Sequence, residues 1–285
     1  PSPLATSPPT VRRARGGMAA GWFHTLLLQS DGHVVAFGRN DEGGPGKAEE
    51  ISPPDGLHYT SLAAGLYHSV LLQSDGQPVA CGGNSFGQCD VPEMPPGVRC
   101  AAVTASESHT LLLRSDGRVH AFGQNFWGQC NVPGLMPTQR YIAVAAGQHH
   151  SVLLRDDGQV LAFGRKDNNR CNVPALPPGV TYTAIAAGGA HTLLVRSDGQ
   201  AVAMGCADDG RCDVPRPPPG SRYVQAAAGG SHSVLLRSDG QAVAFGDNSC
   251  GQCDVPKIEL PIYPLPKKGG YQYVTCGYRH TILLR

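Results

Sequence analysis

Short apolar runs recur along the chain in pairs, and each pair encloses the same polar turn. In the unit that begins at Gly229, apolar residues 234–236 lead to Ser238, Asp239 and Gly240, and a second apolar run follows at 242–245. Two apolar runs of strand length around Asp-Gly predict a β-hairpin, because Asp and Gly tolerate the positive φ that hairpin turns require. The apolar residues are consecutive and do not alternate with polar ones, which indicates strands that are covered on both faces.

The hairpins belong to a repeat of about 41 residues. The pattern Gly-x-x-His-(Thr/Ser), with Ser106 in place of the glycine in the third unit, precedes the first apolar run of each unit, and its histidines are His24, His68, His109, His150, His191, His232 and His280. Four successive intervals between them are 41 residues long, whereas the first is 44 and the last is 48. Three to four short strands in such a unit make one propeller blade. The sequence therefore predicts an all-β fold in which residues 18–285 form a single seven-bladed β-propeller, with units that start near residues 18, 63, 104, 145, 186, 227 and 276.

The order of motifs within a unit resembles the regulator of chromosome condensation repeat family. The resemblance rests on Gly-x-x-His-Thr, an apolar run, Asp-Gly, a second apolar run, an aromatic-Gly pair and Asn-x-x-Gly-Gln, and it covers residues 18–285. The usual Trp-Gly pair is replaced here, for example by Phe122-Gly123 and Met204-Gly205. The trailing Val-Pro, as in the block from Cys130 to Pro133, is most similar to the propeller-type β-lactamase inhibitor proteins. The family implies a seven-bladed propeller, which the seven histidines match.

The two ends of the chain depart from the repeat. Residues 1–17 are rich in proline and arginine and contain no acidic residue, so they are interpreted as an extension or linker, with the remnant of an organellar transit peptide as the alternative. The seventh unit stops at Arg285, after its first apolar run. We therefore expect an incomplete last blade, either because the natural chain continues or because the N-terminal segment closes the ring.

Charge and composition argue against several classes of function. The 23 Lys and Arg residues nearly balance the 22 Asp and Glu residues, so the net charge of +1 provides no overall field for nucleic acid or an anionic membrane. The sequence has no run of 18 apolar residues, no phosphate-binding glycine loop and no nucleophile elbow. We predict a protein that is not an enzyme, uses no cofactor or small-molecule substrate, does not bind nucleic acid directly and does not insert into a membrane.

The repeated histidines and cysteines are interpreted as structural. Equivalent positions on adjacent sheets lie about 10 Å apart, too far to share a metal ion or to form a disulfide. We expect each imidazole to bond to neighbouring backbone. The five cysteines of the repeat are expected to be small buried side chains in a reducing, intracellular compartment, and they are Cys89, Cys130, Cys171, Cys212 and Cys253. No metal site is predicted at the local pair His149-His150, which has no third ligand nearby in sequence, or at Cys250 and Cys253.

Candidate binding residues come from the parts of the repeat that vary. A hairpin places both free ends opposite its turn, so the Gly-x-x-His turn and the exit loop that follows the aromatic-Gly pair should share one face of the disc. Repeat proteins vary their binding loops on a constant framework. The predicted partner-binding residues on these segments are Trp22, Phe23, Tyr67, Phe86, Phe126, Trp127, Tyr278 and Arg279. The alternative is that these rings pack between loops. Residues 257–273 make the sixth unit longer and add Ile262 and Tyr263 as a candidate docking arm, or else form a long link between blades.

The function that fits these features is a non-catalytic scaffold for protein–protein interaction, either freestanding or as an accessory subunit of a larger assembly, with an organellar assembly as one option. The partner would be another protein or a multi-protein complex. The family resemblance implies an alternative, which is guanine nucleotide exchange on, or regulation of, a small Ras-like GTPase, as the name-giving member does for Ran. That function would need a wedge-like insertion, and residues 257–273 are the candidate for it.

Overall fold

The computed structural model describes residues 17–39, 45–256 and 270–285, and these form seven antiparallel sheets. The first sheet contains β1 (Met18–Ala20), β2 (His24–Leu28), β3 (Val34–Arg39) and β4 (Pro45–Ile51). The second contains β5 (Tyr59–Ala64), β6 (His68–Gln73) and β7 (Pro78–Gly82), and the third contains β8 (Cys100–Ala105), β9 (His109–Arg114) and β10 (Val119–Gly123). The fourth contains β11 (Tyr141–Ala146), β12 (His150–Arg155) and β13 (Val160–Gly164), and the fifth contains β14 (Tyr182–Ala187), β15 (His191–Arg196) and β16 (Ala201–Gly205). The sixth contains β17 (Tyr223–Ala228), β18 (His232–Arg237) and β19 (Ala242–Gly246), and the seventh contains β20 (Tyr273–Cys276) and β21 (Thr281–Leu284).

The seven sheets are the blades of a propeller, which confirms the predicted all-β fold. The ends of the first strands of all seven blades line one central cavity, so the first strand of each blade is the inner strand, and the middle and outer strands follow it. Five blades have three described strands, and the last has two. Residues 45–51, part of the longer first unit, form a fourth strand that pairs with β3. In the described ranges, the only helical element is a 3-10 turn at Asp167–Asn169, and no helix is long and apolar enough to cross a bilayer.

In the hairpin turns between middle and outer strands, aspartate and glycine have different roles. In the fifth blade, Gly199 has a φ of +84°, a conformation that favours glycine. Asp198 is not at positive φ, which corrects the expectation for this residue type. Its carboxylate instead accepts the backbone N–H of Gln200 at 3.1 Å, as in an Asx turn. The Asp-Gly pair therefore serves the hairpin through one side-chain acceptor and one left-handed residue.

The hydrophobic core lies between the blades. The middle strand β15 is buried from His191 to Val195, and its Leu193 and Leu194 side chains are fully buried. Leu194 packs into a cluster with Val152 and Leu154 of the fourth blade, whereas Leu193 packs into the cluster shared with the sixth blade. Each strand therefore faces a neighbouring sheet on both sides, which explains its run of consecutive apolar residues.

The Val-Pro block is tied to the start of the next blade. The hydroxyl of Tyr182, the first residue of β14, donates to the carbonyl oxygen of Pro174 at 2.9 Å. The same bond recurs between other blades, from Tyr141 to Pro133, from Tyr223 to Pro215 and from Tyr271 to Pro256. Since the tyrosine side chain is buried, this bond satisfies its hydroxyl and anchors the link between successive blades.

Candidate functional site

The Gly-x-x-His turns and the exit loops lie on one face of the propeller. In the second to sixth blades, the exit loop begins with a backbone bond to the Gly-x-x-His turn of its own blade, as when the Arg165 amide donates to the carbonyl of His149 at 2.8 Å. The glycine that ends the outer strand makes this contact possible. At Gly205, φ is +129°, and an added Cβ would lie 2.4 Å from the carbonyl oxygen of Ala190. The prediction that these variable segments share one face is thus met by the backbone.

A ring of side-chain hydrogen bonds runs beneath this face. The Nε2 atom of each repeat histidine lies within 3.2 Å of the Ser or Thr hydroxyl that follows the histidine of the next blade. These pairs are His24–Ser69, His68–Thr110, His109–Ser151, His150–Thr192, His191–Ser233, His232–Thr281 and His280–Thr25. The last pair closes the ring between the seventh and first blades. The expectation that the imidazoles bond to backbone was wrong, because the partner is a side-chain hydroxyl across the blade boundary.

The second bond of each hydroxyl determines the histidine tautomer. The Ser233 hydroxyl donates its single hydrogen to the carbonyl oxygen of Arg211 at 2.8 Å, so it must accept from Nε2–H of His191. The same relay holds for His68, His109, His150 and His232, whose hydroxyl partners donate to carbonyl oxygens at 2.7 to 2.8 Å. In all five histidines Nδ1 is buried and has no hydrogen-bond partner among the described residues. These histidines are therefore neutral, with the proton on Nε2.

Burial holds the pKa of these five histidines far below the ordinary value. Loss of hydration is the largest cause, and neighbouring histidines and arginines add to it. The pKa falls to about 3 for His109 and His191 and to about 4 for His68 and His232, and it also lies well below 6.5 for His150. Protonation of one of these imidazoles would place a new N–H group at a buried Nδ1 that has no acceptor among the described residues. We therefore interpret these side chains as structural.

The predicted aromatic residues meet in pairs across successive blade boundaries. Trp22 stacks on Tyr278 with ring centroids 3.8 Å apart, across the boundary between the seventh and first blades. Across the next two boundaries, Phe23 lies 5.9 Å from Tyr67, and Phe86 meets Phe126 edge to face at 5.8 Å. Trp127 lies under the guanidinium of Arg165 from the fourth blade, at 4.7 Å. We call the seven residues Trp22, Phe23, Tyr67, Phe86, Phe126, Trp127 and Tyr278 the aromatic crescent.

The crescent rings contact one another and also stay open to solvent. The exposed fraction is 76% for Phe126, 49% for Trp127 and Tyr67, and 42% for Phe23 and Phe86. Solitary exposed apolar residues are ordinary on protein surfaces, but contiguous ones indicate an interaction site. The alternative in which the rings only pack between loops accounts for the pairing but not for this exposure.

Hydrogen bonds within the exit loops hold the outer rings in place. In the third blade, the Asn125 amide donates to the side-chain oxygen of Asn131 at 2.9 Å, and its own oxygen accepts the backbone N–H of Cys130. The Gln129 side-chain oxygen accepts the backbone N–H of Trp127 at 2.9 Å. Phe126 is therefore displayed on a loop whose polar groups are already satisfied, which lowers the entropy lost when a partner binds.

The fourth and fifth blades differ from the second, third and sixth blades at the glutamine of the exit loop. Arg170 and Arg211 stand where Gln129 stands in the third blade, and both are buried. Arg170 donates to the carbonyl of Gly189 at 3.4 Å, and Arg211 donates to that of Gly230 at 3.3 Å, each across the next blade boundary. Sequence reasoning missed this pair. The signal was present, because the units that follow each arginine carry glycine where other turns carry Trp, Leu, Glu, Gln or Tyr.

The remaining predicted residues lie apart from one another. Arg279 places its guanidinium 5.8 Å from the ring centroid of Tyr278, at one end of the crescent. Ile262 and Tyr263 lie outside the described residues. His149 does not converge with His150, because its Nε2 faces Glu107 of the third blade at 3.6 Å. No group of three potential metal-binding side chains occurs in residues 17–39, 45–256 and 270–285.

The repeat cysteines are partly buried hydrogen-bond donors. We expected small buried side chains, and all five are intermediate between buried and exposed. The Cys130 thiol, for example, donates to the carbonyl oxygen of Gln124 at 3.3 Å. Burial raises the pKa of Cys130, Cys212 and Cys253 to about 11, so these thiols are poor nucleophiles.

The central cavity is narrow. It encloses about 60 Å³ and is lined largely by alanine and glycine from the inner strands and the Gly-x-x-His turns. Pockets for small molecules usually measure roughly 300 to 1,000 Å³. The cavity therefore holds a few waters at most, and the candidate site is the open face around it.

The regulator of chromosome condensation (RCC1) repeat family matches residues 17–43, 59–88, 100–129, 141–172 and 223–252, which together exceed half of the chain. No curated protein sequence matches the chain significantly. The finer likeness to the β-lactamase inhibitor propellers finds no support in these comparisons.

Solved propellers share the fold at low sequence identity. Human WBSCR16 aligns with a TM-score of 0.76 and 21% identity, over 94% of this chain and 86% of that chain. Prp20p from Saccharomyces cerevisiae, described with its binding properties to Gsp1p and histones, aligns with a TM-score of 0.76 and 20% identity over 93% of this chain and 81% of that one. The CRINKLY WD40 ectodomain of the Arabidopsis thaliana receptor kinase ACR4 aligns at 0.60 and 21% identity, over 92% and 88%. At such identities the likeness shows the fold alone.

Proposed function

Because the chain belongs to the regulator of chromosome condensation (RCC1) repeat family, we propose that it is a non-catalytic protein-binding module that docks a partner protein on its aromatic crescent. The observation that carries this proposal is the exposure of five aromatic rings on one face, led by Phe126 at 76%, with four of the five in contact as two pairs. Aromatic and arginine side chains supply most hot spots of protein interfaces. The crescent combines both, since Arg165 stacks on Trp127.

The rigidity of the exit loops supports the same proposal. The loops that carry Phe86 and Phe126 are braced by the amides of Asn84 and Asn125, which reach across each loop to Asp90 and Asn131. A partner therefore meets rings that are already positioned, and less conformational entropy is lost on binding. Such bracing suits a recognition surface better than a flexible loop does.

Co-purification from native extract tests the proposal. The full chain carries an affinity tag as wild type, as the double variant Phe126→Ala/Trp127→Ala, and as the control variant Met136→Ala. Met136 is 69% exposed but lies outside the crescent, so it matches Phe126 in exposed apolar character. We expect partners recovered with wild type and Met136→Ala to be lost with the double variant, because losing one hot spot weakens binding by about 2 kcal/mol or more. Equal recovery by all three folded proteins would refute docking on the crescent.

The second candidate function is nucleotide exchange on, or regulation of, a small GTPase. It is supported by the shared fold with Prp20p, whose description names binding to Gsp1p. The predicted wedge at residues 257–273 lies largely outside the described residues. A nucleotide-release assay on a panel of small GTPases tests this function, and accelerated release by the full chain would favour it over a passive scaffold.

A further inference from the structure

We infer that the partner segment that docks on the aromatic crescent is cationic and presents arginine side chains to the rings, an inference that rests on the function proposed above. The crescent already binds guanidinium groups of this chain at both of its ends. Arg165 lies 4.7 Å above the ring of Trp127, and Arg279 lies 5.8 Å from that of Tyr278. Cations within about 6 Å of a ring centroid are attracted by the negative face of the π system. These two contacts show how a partner's arginine would engage the rings between them.

The rings between the two ends have exposed surface for further cations. Phe23 and Tyr67 are tilted by 34° relative to each other, and Phe86 and Phe126 meet at 88°. Neither pair is stacked face to face, so each leaves ring faces uncovered by its partner. The exposed fractions of 42% to 76% for these four residues agree with this geometry.

Carboxylates on the same face favour a cationic partner. Asp247 begins the exit loop of the sixth blade and lies close enough to Arg279 for that arginine to help lower its pKa, after the hydrogen bonds from Ser249 and Gln252. Asp208 is exposed on the exit loop of the fifth blade. In the described part of the chain, no Lys or Arg nitrogen lies within ion-pair distance of Asp208 or Asp247. Both carboxylates therefore retain negative charge that an incoming cation can meet.

The cations of the exit loops are mostly neutralised from within. Arg165 pairs with Asp167 at 2.6 Å, and Arg211 pairs with Asp209. Arg170 is buried beneath the face. In the described part of this face, the exposed cations without an ion pair are Lys166 on an exit loop and Arg279, which lies against Tyr278 and near Asp247. An acidic partner segment would meet the carboxylates of Asp208 and Asp247, and an uncharged one would leave Asp208 without a counter-charge.

Fluorescence anisotropy with three labelled peptides tests the inference on the full chain. The probes are nona-arginine, nona-lysine and nona-glutamate at physiological salt. We expect nona-arginine to bind several-fold more tightly than nona-lysine, because the planar guanidinium stacks on rings as an ammonium cannot, and we expect no binding of nona-glutamate. Phe126→Ala/Trp127→Ala should weaken nona-arginine by at least about fivefold, the upper range for a cation–π contact at an exposed ring, and Met136→Ala should have no effect.

Charge variants separate the contribution of the aromatic rings to peptide binding from that of the carboxylates. Asp208→Asn should weaken both cationic peptides, whereas Asp55→Asn, an exposed carboxylate outside this face, should weaken neither. Equal binding of nona-arginine by wild type and by the ring double variant would mean diffuse charge attraction only and would overturn the inference. If the double variant loses the native partner but wild type does not bind nona-arginine, the cationic partner is refuted and docking on the crescent stands. If the double variant keeps both the native partner and nona-arginine, both proposals fail.

Discussion

Acidification from pH 7.0 to pH 5.5 should destabilise the propeller because of the five neutral histidines in the hydrogen-bonded ring. In the folded state their pKa values are about 3 for His109 and His191, about 4 for His68 and His232, and well below 6.5 for His150. In the unfolded chain each returns to about 6.5. Between these values the unfolded state binds more protons, so the stabilisation is present above about pH 6.5 and is lost as the pH falls toward the folded pKa.

The size of the effect follows from the two pKa values. At pH 5.5 the folded ring is still neutral, whereas an unfolded histidine is about nine-tenths protonated, and the difference from pH 7.0 is about 1.3 kcal/mol for each histidine. The four histidines with folded pKa values of about 3 to 4 together lower the free energy of unfolding by about 5 kcal/mol, a large part of a typical domain's stability, and His150 acts in the same direction. With an unfolding entropy of roughly 2 cal/mol/K per residue, 5 kcal/mol corresponds to a decrease of about 9 °C in Tm for a chain of this length.

Calorimetry in buffers of different ionisation enthalpy measures both the Tm and the protons taken up on unfolding. We expect uptake of at least about four protons at pH 5.5, since carboxylates in the unfolded chain remain mostly ionised there. His191→Gln keeps an N–H donor for Ser233 and should remove about one proton from the uptake, whatever its effect on stability. A Tm that is constant between pH 7.0 and 5.5, or an uptake unchanged by His191→Gln, would refute the neutral state assigned to the buried histidines.

Two further predictions concern the links between blades and the thiols. Tyr182→Phe removes the hydroxyl that satisfies the carbonyl of Pro174, so it should lower the free energy of unfolding in urea by about 1 to 2 kcal/mol, whereas Tyr67→Phe at a half-exposed ring should change it little. Because burial raises the pKa of Cys130 to about 11, iodoacetamide at pH 8 should label it far more slowly than exposed Cys250. Peptide mass spectrometry checks the labelling, and equal rates would contradict this account of the repeat cysteines.

The fold was predictable because the same strand and turn motifs recur from unit to unit. Each Gly-x-x-His and Asp-Gly pair specifies one hairpin, and seven histidines at nearly constant intervals specify the number of blades. The hydrogen-bond partner of each histidine was not predicted, because it belongs to the next blade and is more than 40 residues away in sequence. The sequence did contain a signal, because Thr or Ser follows every repeat histidine. A hydroxyl group beside every imidazole indicates a hydrogen bond between a hydroxyl and an imidazole.

The candidate site was only partly predictable. Sequence alone placed Phe86, Phe126 and Trp127 on neighbouring exit loops of one face, but it could not show that Phe86 and Phe126 meet edge to face or that Arg165 covers Trp127. Those contacts depend on the conformation of each exit loop, because they join side chains of neighbouring blades. Each loop conformation is in turn held by hydrogen bonds such as Asn125 to Asn131, which join residues six apart within a loop.

Hydrogen–deuterium exchange of the tagged full chain, alone and in complex with its co-purified partner, tests the central claim most directly. If the partner docks on the aromatic crescent, the exit loops at residues 84–90 and 125–131 gain protection in the complex. The hairpin turns on the opposite side, such as residues 197–200, keep their free-state exchange. Protection of the hairpin turns with unchanged exchange in both exit loops would contradict the account.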